Sequence, residues 1–238
     1  MPCTVSVAMA VYNGEKYLSQ QIISILDQLT GDDELIISYD KSTDDTLKII
    51  HEFASKDDRI RIILNDNPGI VNNFNNAIET CKNDIIFISD QDDIWVPGKR
   101  EKMVEILNCT GADLAIHNVV HIDENCKIIS RPLFEEYRIK KGILRNFAMP
   151  RYSGCCMAFP AASKKMIFPM PRTVINYDHW IGMVCELFGT VTFVEDVLLW
   201  HRLHGDNVTT SRRPLKVILL QRINLLKELI KRRYEILK

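Results

Sequence analysis

Short apolar runs that alternate with helical patterns through the first 110 residues constrain this chain more than any other feature. Val5 to Val11 is a β-type run, broken by Tyr12-Asn13-Gly14. Glu15 to Leu29 then carries Leu18, Ile22, Ile25, Leu26 and Leu29 at helical spacing, and Gly31-Asp32-Asp33 ends it. Glu34 to Ser38, Ile60 to Leu64 and Ile85 to Ile88 read as further strands, with Thr46 to Ala54 and Val71 to Cys81 as the helices between them. A strand that returns to its sheet through a helix runs parallel to the one before. The pattern therefore predicts an α/β fold, a mostly parallel twisted sheet with helices on both faces. In such a sheet the loops after strands one, two and four gather along one edge, where open α/β sheets bind ligands.

The fourth strand ends in Ser89-Asp90-Gln91-Asp92-Asp93, followed by Ile94-Trp95 and the Pro97-Gly98 breaker. Asp is at home in turns, but three acids directly after a fully apolar strand exceed what a turn needs. Hard oxygen ligands there suit Mg²⁺ or Mn²⁺, which keep some waters and also bind phosphate. The first loop lacks the G-x-G-x-x-G of dinucleotide folds, and no P-loop pattern occurs. A nucleotide is left to Tyr12 and Asp40. Asp40 suits a pyrimidine base or ribose, and suits a turn or helix cap equally well.

Beyond Ala112 the pattern loosens. Ala112 to His117 and Val119 to Ile122 read as two strands, Asp123-Glu124-Asn125 as a turn, and Lys127 to Ser130 as a hairpin return. Arg131 to Lys141, with Phe134 and Tyr137, reads as a mobile loop of the kind that covers binding sites. Tyr152 to Phe159 reads as a short buried strand, whose Cys155 and Cys156 lack an adjacent base and suit packing better than nucleophilic chemistry. Asn176 to Trp180 opens a helix with Ile181, Val184, Cys185 and Phe188 on its apolar face. Asp178 there is either a first-turn acid favoured by the helix dipole or a catalytic carboxylate. Val191 to Val194 and Val197 to Leu199 read as paired strands. In Trp200 to Asn207, Arg202 and His204 lie two apart and would share a face of an extended segment. They suit a diphosphate grip and a metal ligand, though a lone histidine is more often structural.

At 238 residues and net charge −1, global charge names no partner, and no nucleic acid is expected. Seven cysteines without a C-x-x-C pair point to a reducing compartment rather than a disulfide framework. No signal peptide or membrane-spanning run is visible. Ser211 to Lys238 stands apart: nine bases and two acids give it +7, leaving −8 on the rest. Leu215, Ile218, Leu219, Ile223, Leu226 and Ile230 recur at helical spacing. This basic amphipathic helix suits an anionic membrane surface, or packing on the domain or another subunit.

Together these stretches resemble the family-2 glycosyltransferases of GT-A fold, and among them bacterial rhamnosyltransferase-like enzymes of capsule, O-antigen and cell-wall polysaccharide synthesis. The resemblance runs from Val5 to about Val208. It is carried by Val11-Tyr12-Asn13-Gly14, Asp40 with Ser42-Thr43-Asp44, Asn73-Phe74, Ser89 to Trp95 with Lys99, Gly154-Cys155, Asp178 before Trp180, and Arg202 with His204 and Asn207. It implies a domain over 1–210, with a nucleotide-sugar half (1–110) and an acceptor half (111–210), followed by a tail at 211–238. It implies that Val11, Tyr12, Asp40, Asn73 and Asp90 line the nucleotide-sugar site. Asp92 and His204 would hold Mn²⁺ or Mg²⁺, Arg202 would close over the diphosphate, and Asp178 would be the base of an inverting transfer. The donor would be UDP- or dTDP-linked and the acceptor a glycan or lipid-linked saccharide. The location would be cytoplasmic, with the tail a candidate contact to the inner face of the plasma membrane. This chain departs from the family at Tyr39 and Lys41, where an acidic residue and a glycine are usual, and at His201, where Tyr is usual. A sugar-phosphate nucleotidyltransferase and an inactive glycan-binding domain are the competing readings.

Overall fold

The computed structural model describes residues 3–205 and 214–237. In chain order the elements are β1 (Val5–Val11), α1 (Leu18–Leu26), β2 (Glu34–Tyr39), α2 (Thr46–Ala54), β3 (Ile60–Leu64), α3 (Ile70–Thr80), β4 (Ile85–Ser89), β5 (Ile94–Trp95), α4 (Lys99–Thr110) and β6 (Leu114–Ile122). There follow α5 (Leu133–Tyr137), α6 (Ile143–Ala148), β7 (Met157–Pro160), α7 (Lys164–Ile167), α8 (Tyr177–Phe188), β8 (Val191–Arg202) and α9 (Leu215–Ile236). Asn207 and residues 211–213 of the tail lie outside the described residues.

The eight strands form one sheet in the order β3-β2-β1-β4-β7-β6-β8-β5. β3, β2, β1 and β4 are all parallel, and β6 and β8 pair in parallel further along. β7 is antiparallel to both β4 and β6. Every residue of β4 is buried, as a strand covered on both faces must be. After β1 the chain winds to one side of it, through β2 and β3, and then returns to its other side at β4. The β1–β4 boundary is thus a topological switch point, where the two carboxyl-end loops part and leave a crevice. β5 follows β4 closely in sequence, yet it pairs with the far strand β8, Ile94 against Trp200 and Trp95 against Leu199. The acidic loop between β4 and β5 is therefore stretched across the sheet edge and tied down at both ends.

Several sequence expectations change. Ala112–His117 and Val119–Ile122 form a single strand, β6, and Val191–Val194 and Val197–Leu199 form a single strand, β8, paired with β6 rather than with itself. The polar pair Glu195-Asp196, which looks like a turn, is a bulge: His117 pairs with Val194 and Asn118 with Val197. Asn118 Nδ2 caps the irregularity by donating to the Glu195 carbonyl at 3.3 Å. The return at Lys127–Ser130 is reduced to one bridge, Ile122 to Ile128. Residues 131–141 contain α5 rather than only a loop, because Leu133 and Phe134 are buried and the Phe134 amide donates to Asn118 Oδ1 at 3.0 Å. Residues 154–156 form a 3₁₀ turn ahead of β7. The tail is helical, but Leu225, Leu229 and Arg232 are its buried residues, and the apolar face expected from spacing is largely exposed. Among the described residues no helix is long and apolar enough to cross a membrane.

Candidate functional site

The loops after β1, β2 and β4 are laced into one another. Tyr12 exchanges both backbone hydrogen bonds with the Gln91 side chain, N to Oε1 at 2.8 Å and Nε2 to O at 2.9 Å. A Cβ at Gly14 would lie 2.7 Å from Gln91 Oε1, so a larger residue there would displace the Gln91 side chain that ties the two loops. Gly14 N donates to Thr46 Oγ1 at 2.7 Å, and Asn13 Oδ1 accepts from the Thr43 amide at 2.9 Å. Val11 is buried at the end of β1, while the Tyr12 ring is 54% exposed above it. Asp40 is buried beneath this floor: Oδ1 accepts from Asn65 Nδ2 at 2.6 Å and Oδ2 from the Gly69 amide at 3.0 Å. It shapes the loop after β3, and each oxygen keeps a second lone pair for a ligand. Asn73 donates to the Val11 carbonyl at 3.2 Å, which makes it a support of the β1 end.

The acids of the β4–β5 loop differ in their surroundings. Asp93 is fully buried, accepts the Arg202 amide at 3.0 Å and lies 3.0 Å from His201 Nδ1. Burial opposes its charge, but His201 holds its carboxyl below the usual range, and Asp93 in turn raises His201 to about 10. Burial, then the charges of Asp93 and Asp92, push Asp90 up to about 8. Burial and Asp93 raise Asp92 as well. His204 Nε2 lies 2.9 Å from Asp92 Oδ2, so one imidazole nitrogen and one carboxylate oxygen face a common point. This donor set fits Mn²⁺ or Mg²⁺. Ligand atoms of Asp90, Asp93, Cys155 and His201 also lie within 4.8 Å of one another. The Cys155 thiol is raised far above its usual value by its Cys156 neighbour and by burial, which makes it a packing group there.

Arg202, expected to close over a diphosphate, is engaged within the protein. It is 1% exposed, and its guanidinium donates to the Asp92 carbonyl at 3.0 Å, the Glu124 carbonyl at 3.2 Å and Gln20 Oε1 at 2.7 Å. It stacks 4.6 Å from the Tyr17 ring, which also packs on His204 at 4.9 Å. Arg202 thus holds the acidic loop, the β6 turn and α1 together from inside. Spacing gave no sign of Gln91, Tyr17 or Gln20, because their roles arise from contacts across the fold.

Asp178 stands half-buried in the first turn of α8 and accepts its neighbour's amide, His179 N to Oδ1, at 2.7 Å. Its neighbour Tyr177 is buried in the same turn. The phenol is buried and stacked on Phe74 at 4.1 Å, and it is raised by burial and then by Asp90 and Asp178. A Cβ at Gly154 would collide with the Tyr177 hydroxyl, so Gly154 is there to let the ring through. Lys99 lies under the same loop, donating to the Cys155 carbonyl at 2.9 Å and lowered to about 8 by burial.

A sequence profile of glycosyl transferase family 2 matches residues 6–168. An uncharacterised glycosyltransferase of Methanocaldococcus jannaschii is 38% identical over 217 residues, 87% of this chain and 73% of that one. The dTDP-rhamnosyl transferase RfbG of Shigella flexneri is 37% identical over 118 residues, 47% of this chain and 41% of its own. Among solved structures, residues 1–349 of S. aureus TarS in complex with UDP-GlcNAc align at TM-score 0.69 and 16% identity, covering 98% of this chain and 73% of that one. The mannosyltransferase PcManGT of Pyrobaculum calidifontis, with GDP-Man and Mn²⁺, aligns at TM-score 0.68 and 14% identity, covering 96% and 73%. At such identities the likeness is one of fold, and that fold is GT-A. The chain spans 66% to 73% of the length of the Nostoc, M. jannaschii and H. influenzae glycosyltransferases that it matches over most of its own length.

Proposed function

The chain belongs to glycosyl transferase family 2, and from that premise we propose that it moves a sugar from a UDP- or dTDP-linked donor to a hydroxyl of a glycan or lipid-linked saccharide, with inversion, in surface polysaccharide synthesis. The observation that carries this reading is the acidic pair Asp90 and Asp92 directly after the buried strand β4, with His204 Nε2 2.9 Å from Asp92 Oδ2 and Asp178 in the first turn of α8. Residues 1–110 would hold the donor and 111–210 the acceptor, with 211–238 as a separate tail. The exposed Tyr12 ring offers a stacking face for the base, and Asp40 and Asp90 offer acceptors for its imide and for ribose. RfbG, a dTDP-rhamnosyl transferase by name, supports a deoxysugar nucleotide, while the mannosyltransferase neighbour binds a purine one.

A leaving nucleoside diphosphate gains negative charge in a site already rich in carboxylates. A bound Mn²⁺ or Mg²⁺ would neutralise that charge as a Lewis acid. Asp92 and His204 would hold it, and Arg202 keeps Asp92 in place from behind. The incoming hydroxyl must lose a proton as it attacks, and Asp178 is the carboxylate that accepts it. One base and no covalent intermediate lead to inversion. The abundance of nucleotide sugars and of free thiols in a reducing compartment argues for a cytoplasmic location.

The test is a panel of UDP, dTDP and GDP sugars with Mn²⁺ or with EDTA, scored for nucleoside diphosphate release. Slow release from one donor, lost in EDTA, is the expected result. Pyrophosphate release from a nucleoside triphosphate and a sugar phosphate would overturn the reading in favour of nucleotidyl transfer.

A further inference from the structure

Helix α9 has two apolar faces, and the domain covers one of them. Leu225 and Leu229 are buried against the body of the protein, and the buried Arg232 donates to the Phe168 and Pro169 carbonyls and lies 5.3 Å from the Trp180 ring. Turned roughly 120° about the helix axis, by the 3.6-residue repeat, Leu215, Leu219, Ile223, Leu226, Ile230 and Tyr234 form a second stripe. Their exposures run from 43% at Ile223 to 84% at Leu215. A continuous apolar stripe along a 22-residue helix is an interface rather than scattered surface residues.

The charges around the stripe say what covers it. Exposed Lys216 and Lys227 border it on one side and exposed Arg233 on the other. Both acids of the helix point elsewhere: Glu228 accepts from Thr173 Oγ1 at 2.7 Å, and Glu235 lies beside Lys231 and Arg232 at 3.9 and 3.3 Å. A second copy seated on this stripe would set bases against bases. An anionic lipid surface takes both features, with apolar side chains in the acyl boundary and the cations among the phosphates. The tail's +7, against −8 on the rest of the chain, also orients the molecule, because the acidic body is repelled from the surface that attracts the helix.

We infer that the outward stripe of α9 docks on an anionic membrane surface while its inward face stays packed on the domain. Gln221, Arg222 and Leu225 of α9 line one crevice with Asn176 and His179, the residues on either side of Tyr177-Asp178. If Asp178 is the base proposed above, on which this consequence rests, docking brings the acceptor side of the site to the bilayer and suits an acceptor carried on a membrane lipid.

Vesicle flotation of the full chain reads docking without donor or turnover. The protein should float with phosphatidylglycerol-containing vesicles at low salt and stay behind with phosphatidylcholine alone. Lys216→Gln with Lys227→Gln should weaken binding about 30-fold, and Leu219→Glu with Ile223→Glu should abolish it. All four positions are exposed or border the stripe, so the urea transition of each variant should match that of the parent. Absence of binding to anionic vesicles at low salt overturns the inference, as does equal binding by the Leu219→Glu, Ile223→Glu variant. A dimer in light scattering that this variant dissolves, without vesicle binding, would assign the stripe to a second copy instead. None of these outcomes touches donor hydrolysis, so failure here is separable from failure of the glycosyltransferase reading.

Discussion

The duties proposed for Asp178 and Asp92 differ, and single substitutions separate them. Asp178→Asn keeps the shape of the side chain and the cap on the His179 amide while removing the proton acceptor. Turnover should fall about 10²-fold or more, with calorimetric affinity for UDP or dTDP unchanged; parental turnover in this variant would dismiss Asp178 as the base. Asp92→Ala removes the oxygen that faces His204 Nε2. The increment that Mn²⁺ adds to nucleotide affinity should vanish, and equal affinities with Mn²⁺ and with EDTA in the parent as well as the variant would refute the metal assignment. The acid type and loop position of both residues are visible in sequence because they are local properties. Asp40 and Asn73 were legible as positions, but their hydrogen bonds to Asn65, the Gly69 amide and the Val11 carbonyl are not visible in spacing.

The β4–β5 loop is held through its backbone as well as through its acids. Arg202, at the end of β8, reaches the Asp92 carbonyl, the turn after β6 and Gln20 of α1 with one planar fork. A lysine keeps the charge and loses the fork. Arg202→Lys should therefore weaken apparent Mn²⁺ affinity and raise the donor KM more than it lowers kcat. A variant that changes kcat alone would count against a positioning role. The same loop explains how β5 escapes sequence reading: two residues, Ile94-Trp95, are too few for a periodic signal, and their partner lies more than a hundred residues away. The strand β8 was split because its bulge interrupts polarity as a turn does, and β6 because the buried polar Asn118 interrupts its apolar run. α5 hid because five residues hold little more than one helical turn.

On the scale of the molecule, Asp33 joins parts that are distant in sequence. It accepts the Val5 amide at 2.7 Å and the Thr30 amide at 2.7 Å, and is paired with Arg100 Nε at 2.6 Å. Burial opposes its ionised form, but Arg100 and the amides outweigh burial and hold the carboxyl below its usual value. A lowered folded-state value means the stabilisation is present above the unfolded pKa, about 3.9, and is lost as pH falls through the folded one. Asp33→Asn should cost about 3 kcal/mol at neutral pH and flatten the acid limb of a urea-midpoint series below about pH 4. Parallel limbs for the two proteins would refute this role. Local periodicity and residue type were enough to determine the alternating strands and helices of a parallel half-sheet, the gathering of its loops at one edge, the acidic loop and the helical tail, because each depends on neighbours within a few turns of chain. Only the tertiary structure decided that β5 crosses to β8, that Arg202 turns inward, and that α9 docks through Leu225 and Leu229 rather than through its more evident apolar stripe. Those outcomes depend on which distant surfaces meet, and that is set by packing of the whole chain at once.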